Sequence, residues 1–229
     1  RVGRDLRVSV TDRCNLRCTY CMPAEGLDWM AKPEMFTDDE LVRAVGVMVG
    51  LGVTQVRLTG GEPLLRRSLV DVVRRIAGLE PRPRIAMTTN GIGLDRLAAP
   101  LAAAGLDRVN VSLDTIDPEH FAGLTRRDRF NDVVAGLKAA SDAGLTPVKV
   151  NAVAMRGVND ADVPDLLRWC LDRGYDLRFI EQMPLDAQHA WDRSRMVSQA
   201  EILERLGERF RLTPVQERGS APAELFLVD

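Results

Sequence analysis

The chain has 229 residues, 45% of them hydrophobic, and its 31 basic side chains nearly balance 33 acidic ones for a formal net charge of −2. That length suits one large domain with a sizeable core, and the charge balance leaves no electrostatic footprint for nucleic acid or an anionic membrane. An apolar run such as "AVGVMVGLGV" is far short of the roughly 18 residues of a membrane span.

The start, "RVGRDLRVSV", runs into a strand pattern rather than a signal peptide. In chain order, "LRVSVT" (6–11) reads as a strand and leads into a loop holding three of the four cysteines. Thr37 is a good N-cap for the helical pattern "DDELVRAVGVMVGLG". Strand "QVRLTG" (55–60) precedes helix "SLVDVVRRIAGL", and strand "RIAMTT" (84–89) precedes helix "LDRLAAPLAAAG". Strand "RVNVSL" (108–113) precedes helix "FNDVVAGLKAASDAG". Strand "VKVNAV" (148–153) precedes helix "DVPDLLRWCLDRG", and strand "LRFIEQ" (177–182) closes the alternation. A helix over about 198–209 and a strand-like tail follow. Several helices end in Gly, as helix C-termini often do. Alternation of this kind predicts parallel pairing through right-handed crossovers. The chain opens on Arg1 and closes on "ELFLVD", so a longer parent protein is expected.

The strands alternate in polarity. Leu6, Val8 and Val10 oppose Arg7, Ser9 and Thr11; Val56 and Leu58 oppose Arg57 and Thr59. Val109, Val111 and Leu113 oppose Asn110, Ser112 and Asp114; Val148 and Val150 oppose Lys149 and Asn151; Leu177 and Phe179 oppose Arg178. A parallel sheet covered on both faces would read as near-continuous apolar runs. One face must therefore meet helices while the other looks into something polar. Solvated edge strands would alternate too, but one sheet cannot have six edges. The expected fold is α/β: a partial (β/α)6 TIM-type barrel with a polar lumen, plus a short C-terminal helix and tail. The expected division is a barrel over residues 1–184 and an extension over 185–229.

Cys14, Cys18 and Cys21 follow the first strand, at the end where α/β barrels place active sites. A structural zinc ion needs four ligands, and only His120, His189 and Cys170 remain. Cys170 sits in the helical run "LLRWCLDRG" and reads as a small buried hydrophobe. Clustered and lone thiols in an ordinary globular chain predict a cytoplasmic protein rather than a disulfide framework. Thiolates are also soft ligands for iron–sulfur clusters, and three on a four-iron cluster leave one iron open.

The Cys-x3-Cys-x2-Cys spacing with Tyr20 before the last cysteine resembles the cluster motif of the radical S-adenosylmethionine (SAM) superfamily, and "LTGGEPLL" (58–65) is similar to its GGEP element. The resemblance implies a [4Fe-4S] cluster on Cys14, Cys18 and Cys21 whose open iron is chelated by SAM. Reductive cleavage then yields a 5′-deoxyadenosyl radical that abstracts hydrogen from substrate. "RVSVTDRCNLRCTYCMP", "VRLTGGEPLLRR", "TTNGIGL", "VNVSLDTID", "VKVNAVAMRGVND" and "LRFIEQMP" together resemble the GTP 3′,8-cyclases of molybdenum cofactor biosynthesis. That family implies SAM contacts at Tyr20, Gly61, Ser112 and Met183, and GTP contacts at Arg7, Arg57, Thr88 and Lys149.

The polarity pattern independently turns Arg7, Arg57 and Lys149 inward, where unpaired cations are unfavourable unless an anion joins them. A triphosphate fits that need, and Arg binds phosphate in bidentate fashion. Internal pairing with Asp12, Glu62, Asp114 or Glu181 is the competing expectation. Family members also carry a second four-iron cluster on three C-terminal cysteines and a Gly-Gly tail; neither is present in this chain, which is expected to stop short of that segment. The expected partners are GTP, an electron donor such as flavodoxin or ferredoxin, cyclic pyranopterin monophosphate synthase as the next enzyme, and a second copy in a homodimer. Two other readings compete. One is a radical SAM enzyme acting on another substrate, such as a peptide; the other is a plain iron–sulfur carrier or zinc-stabilised module.

Overall fold

The computed structural model describes residues 3–184, 189, 191–215 and 223–229. Six strands form one sheet in chain order: β1 (Asp5–Ser9), β2 (Gln55–Thr59), β3 (Arg84–Thr89), β4 (Arg108–Ser112), β5 (Lys149–Ala154) and β6 (Asp176–Glu181). Every neighbouring pair is parallel. Because spatial order equals chain order, each crossover steps the same way, and the helices gather on one face of a curling sheet. These helices are α1 (Asp38–Gly50), α2 (Leu69–Ala77), α3 (Leu94–Ala104), α4 (Pro118–Thr125), α5 (Phe130–Asp142) and α6 (Val163–Leu171).

The strand residues facing the helices are Val56, Leu58, Ile85, Met87, Val109, Val111 and Val150, and all are fully buried. They pack with Val72, Ile76, Leu94, Leu101, Val133, Leu137 and Leu166 into one contiguous core. Burying each such side chain stabilises by roughly 1.5–3 kcal/mol. On the opposite face Arg7 is exposed, and Arg57, Ser112 and Lys149 are only half-buried. The alternation is therefore a core face and a lumen face, as the sequence predicts.

Thr37 caps α1 as expected, accepting from Glu40 N while Glu40 Oε2 accepts from Thr37 N. Several local expectations shift, with β2 and β4 each ending one residue short of the expected bound. Pairing of the first strand ends at Ser9 rather than Thr11, because the Thr11 carbonyl accepts from Gly61 N at 2.8 Å. The last two strands begin and end one residue from their expected bounds, at Lys149–Ala154 and Asp176–Glu181. Helix α4 is an addition: Asp117 caps it by accepting from Glu119 N and His120 N, with Pro118 in the first turn.

Beyond β6, α7 (Gln199–Gly207) is capped by Ser198 and packs Ile202 and Leu206 with Val163 and Leu167 of α6. The tail contains a small antiparallel pair, β7 (Leu212–Pro214) and β8 (Phe226–Val228). Within the expected 185–229 extension, residues 185–188, 190 and 216–222 lie outside the described residues, as do Arg1 and Val2. Among the described residues no helix is long and apolar enough to cross a membrane.

Candidate active site

The cysteine loop leaves the C-terminal end of β1 and is held along its length. Arg17 N donates to Thr125 O at 3.0 Å and Thr19 N to Leu124 O at 2.9 Å, tying it to the end of α4. Arg17 Nη1 donates to the carbonyls of Cys14 and Leu16, each at 2.8 Å, and Arg126 Nη1 donates to those of Arg17 and Met22. A turn brings Cys21 N to Cys18 O at 2.9 Å. Cys14 and Cys18 are half-buried and Cys21 is exposed, whereas Cys170 lies buried in α6, far from the loop in sequence. Burial raises the pKa of each loop thiol, and the carboxylate of Asp114 and the charges of Cys21 and Cys14 raise that of Cys18 further.

Among the described residues, no three His, Cys, Asp or Glu side chains converge as the ligands of one ion do. The donor set is instead three thiols spread along one anchored loop, mutually repulsive when ionised. That chemistry fits a cluster, whose separate irons each take one thiolate and return positive charge to all three.

The GGEP element packs directly against this loop. A Cβ on Gly60, where φ is +141°, would stand 2.1 Å from Thr11 O; one on Gly61 would stand 2.2 Å from Arg13 O and 2.3 Å from Asp12 O. The resemblance implies a SAM contact at Gly61; the structure adds that both glycines accommodate the backbone of the cysteine loop. Glu62 N completes the contact by donating to Arg13 O at 2.7 Å. Gly61→Ala is therefore expected to destabilise the chain by about 3 kcal/mol, the upper end for overpacking, and to lower iron uptake. Gly123→Ala, where a Cβ meets nothing within 4 Å, serves as the control. Thermal melting and iron counting check both, and equal behaviour of the two variants would contradict the packing account.

Glu62 itself is 1% exposed. Its carboxylate accepts from Thr89 Oγ1 at 2.6 Å, Asn90 N at 2.6 Å and Leu64 N at 3.0 Å. Burial raises its pKa while those donors pull it back. Asn90 extends the brace: Nδ2 donates to Asn15 Oδ1 at 2.7 Å, inside the cysteine loop, and lies 4.0 Å from Cys14 Sγ. On the other side, Tyr20 OH donates to Asp114 Oδ2 at 2.7 Å, and Asp114 Oδ1 accepts from Val153 N. Burial pushes the Asp114 carboxyl up to about 6 and holds the Tyr20 phenol well above its usual range. The Tyr20 hydroxyl is thus occupied by the protein. Asn15, Asn90 and Asn159, whose Nδ2 donates to Asp114 O and Val153 O, are structural members of the site that sequence reading did not assign, and Glu62, expected as an ion-pair partner, is a hydrogen-bonded brace instead.

The residues expected to meet SAM all lie at or just beyond strand C-terminal ends. Tyr20 and Gly61 follow β1 and β2, Ser112 ends β4, and Met183, 54% exposed, follows β6. Those expected to meet GTP occupy the lumen face. Arg7 stands opposite Arg57, Arg57 opposite Ala86, and Ala86 opposite Arg108, making one row across four strands. The next row joins Thr88, Asn110, Lys149 and Asp176, and a third joins Ser112, Asn151 and Arg178. Burial lowers the Arg57 pKa, as do the charges of Arg108, Arg178 and Arg7.

The internal pairing differs from each expected alternative. Lys149 Nζ lies 3.1 Å from Asp176 Oδ2. Asp12 Oδ2 accepts from Met30 N and Glu181 Oε1 from Gln199 N, while Glu62 and Asp114 are engaged as above. Among the described residues Arg7, Arg57 and Arg178 have no carboxylate within ion-pair distance; Arg108 Nη2 donates only to Gln55 Oε1, at 3.1 Å. A cavity of about 520 Å³ beside Asn15, lined by Leu64, Ile92 and Arg96, lies apart from these rows and includes none of the expected contacts.

The family model for the radical SAM superfamily matches residues 8–170. Among solved structures, Streptococcus suis SuiB bound to S-adenosylmethionine shares the fold over 90% of this chain and 43% of that one, with a TM-score of 0.67 at 19% identity. Methylornithine synthase aligns over 90% of this chain and 62% of its own, with a TM-score of 0.68 at 18% identity. A GTP 3′,8-cyclase of Streptomyces coelicolor is 64% identical over the whole chain and 68% of its own length. GTP 3′,8-cyclase 2 of Mycobacterium tuberculosis is 60% identical over the whole chain and 64% of its own length. The chain belongs to the radical SAM superfamily and, within it, to the GTP 3′,8-cyclase family. It spans about two thirds of the length of these curated relatives.

Proposed function

We propose that this chain forms the catalytic barrel of a GTP 3′,8-cyclase, with residues 1–184 as the barrel and 185–229 as the start of the region that completes it. In this reading Cys14, Cys18 and Cys21 hold the cluster, and Tyr20, Gly61, Ser112 and Met183 surround SAM. A reduced cluster held there would pass its one electron to SAM, whose cleavage to methionine would supply a carbon radical able to remove a substrate hydrogen. Arg7, Arg57 and Lys149 hold the triphosphate, and Thr88 offers a hydroxyl beside them. The observation that carries the assignment is the row of cations Arg7, Arg57 and Arg108 on the lumen face, with no carboxylate of the described residues within ion-pair distance. A peptide substrate has no comparable use for such a row, and the likeness to SuiB concerns fold alone.

Forming a bond between the ribose 3′ carbon and C8 of the base requires loss of a hydrogen at C3′. The barrel contributes by fixing the phosphates at one level of the lumen, so that the sugar meets the cysteine-loop end. In the whole protein, GTP deuterated at C3′ should transfer its label to 5′-deoxyadenosine, read by mass spectrometry. Unlabelled 5′-deoxyadenosine alongside cyclised product would overturn this assignment. A second cluster, an electron donor of the flavodoxin or ferredoxin type, cyclic pyranopterin monophosphate synthase as the consumer of the product, a homodimeric state and a cytoplasmic setting complete the proposal.

The pairing of Lys149 predicts unequal variants. Arg57→Ala removes an unpaired cation and should weaken GTP binding by about ten- to a hundredfold, as for loss of a charge-assisted bond of ~1.5–3 kcal/mol. Asp176→Ala releases Lys149 and should tighten GTP binding. Anaerobic calorimetry on the whole protein decides it: unchanged affinity in Arg57→Ala would contradict the role of the row.

A further inference from the structure

Two buried amide oxygens project from lumen strands without a hydrogen-bond partner among the described residues, Asn110 Oδ1 and Asn151 Oδ1. Asn110 is 2% exposed, in the middle of β4 between Val109 and Val111, whose side chains enter the core. Buried acceptors left unpaired are uncommon and unfavourable. Gln182 Oε1, just past β6, is a third buried amide oxygen without a partner among the described residues, whereas the amides that brace the cysteine loop and Asp114 are filled. Asn159 donates to Asp114 O and Val153 O and accepts from Met155 N. Asn90 donates to Asn15 Oδ1 and accepts from Ile92 N. Of the unpaired amide oxygens, only those of Asn110 and Asn151 belong to strand residues of the lumen face, and Asn110 is the one whose whole side chain is buried.

Their level in the barrel says what they await. Asn110 shares a register row with Thr88 and Lys149; Asn151 lies one row nearer the cysteine loop, with Ser112 and Arg178. The row of Arg7, Arg57 and Arg108 is two residues further toward the strand N-termini, about 7 Å at the rise of a parallel strand. A nucleotide whose phosphates meet those cations, and whose reacting carbon meets the cysteine-loop end, must carry its sugar past Asn110. The groups a sugar presents are hydroxyls, which are hydrogen-bond donors. Rotation about the soft terminal torsion of Asn turns the amide oxygen to such a donor.

Building on the GTP reading above, we propose that Asn110 forms the sugar subsite of the lumen, while Asn151, level with Ser112, stays with the SAM end. Asn110 Oδ1 accepts a hydrogen bond from a ribose hydroxyl of the bound nucleoside triphosphate and so selects ribose over deoxyribose. Asn110 is a positioning and specificity residue: it sets where the sugar lies and takes no part in hydrogen removal.

The test is equilibrium binding of GTP, 2′-deoxyGTP and 3′-deoxyGTP to the whole, cluster-loaded protein, with SAM binding measured in parallel. Wild type should bind GTP about tenfold more tightly than at least one deoxy analogue. Asn110→Ala should bind GTP and that analogue alike, with SAM affinity unchanged. Asn110→Asp, of the same shape and still an acceptor, should keep the ratio even if its charge weakens both ligands. A ratio unchanged in Asn110→Ala overturns the proposal while leaving GTP binding intact. A loss confined to SAM would place the sugar of SAM, not of GTP, against this amide and would equally overturn it. Failure of wild type to bind GTP would instead remove the functional reading beneath it.

Discussion

Replacement of Cys14, Cys18 or Cys21 by alanine should abolish SAM cleavage and strip the anaerobically reconstituted chain of its cluster, about four irons in wild type. Cys170→Ala should leave the iron count unchanged. The contrast follows from placement: three thiols share one loop clamped by Arg17, Arg126 and the end of α4, while Cys170 is buried in α6, its pKa pushed up to about 12 by burial. With one loop thiol removed, two remain for a cluster that needs three, and the carboxylates beside the loop, Glu62 and Asp114, are already engaged by hydrogen-bond donors. Iron counting and EPR after reconstitution read the outcome. A full cluster in Cys14→Ala, or iron loss in Cys170→Ala, would contradict the assignment.

The largest stability effect is expected at Glu62. Alanine there removes the acceptor for Thr89 Oγ1, Asn90 N and Leu64 N at once and leaves a cavity beneath the cysteine loop. Each buried donor left unpaired costs about 1–3 kcal/mol, and breaking such a site typically costs ~3–5 kcal/mol in all. For a domain of this size that is a drop of roughly 10 °C in melting temperature. Glu62→Gln keeps one acceptor oxygen and the side-chain volume, so its loss should be clearly smaller. A melting temperature for Glu62→Ala within about 2 °C of wild type would rule out the brace.

The barrel was legible in the alternation because a parallel sheet with a wet lumen must show polarity at period two, strand after strand. Those same alternations placed Arg7, Arg57 and Lys149 on the lumen face. What escaped depends on register and on long-range contact. Asp176 was not recognised as the partner of Lys149 because the last strand reads from 177, one residue late, and only the β5–β6 register sets the two side by side. The Glu62–Asn90–Asn15 chain joins residues 28 and 75 positions apart, for which no local pattern exists. Helix α4 did leave a signal in Asp117-Pro118, a cap followed by a first-turn proline, but its eight residues are too few for a clear period. The glycines of the GGEP element were visible as a need for closeness; that the close neighbour is the cysteine-loop backbone required coordinates.

The measurement that tests the account most directly is product analysis of this 229-residue chain itself, reconstituted without oxygen, reduced and supplied with SAM. The groups assigned to the cluster and SAM, from Cys14 through Met183, all lie within it. The account predicts slow formation of 5′-deoxyadenosine, lost in Cys14→Ala and little changed by GTP, since the chain spans only about two thirds of the length of its curated relatives. Mass spectrometry showing no 5′-deoxyadenosine from a chain whose cluster is verified and reducible would contradict it.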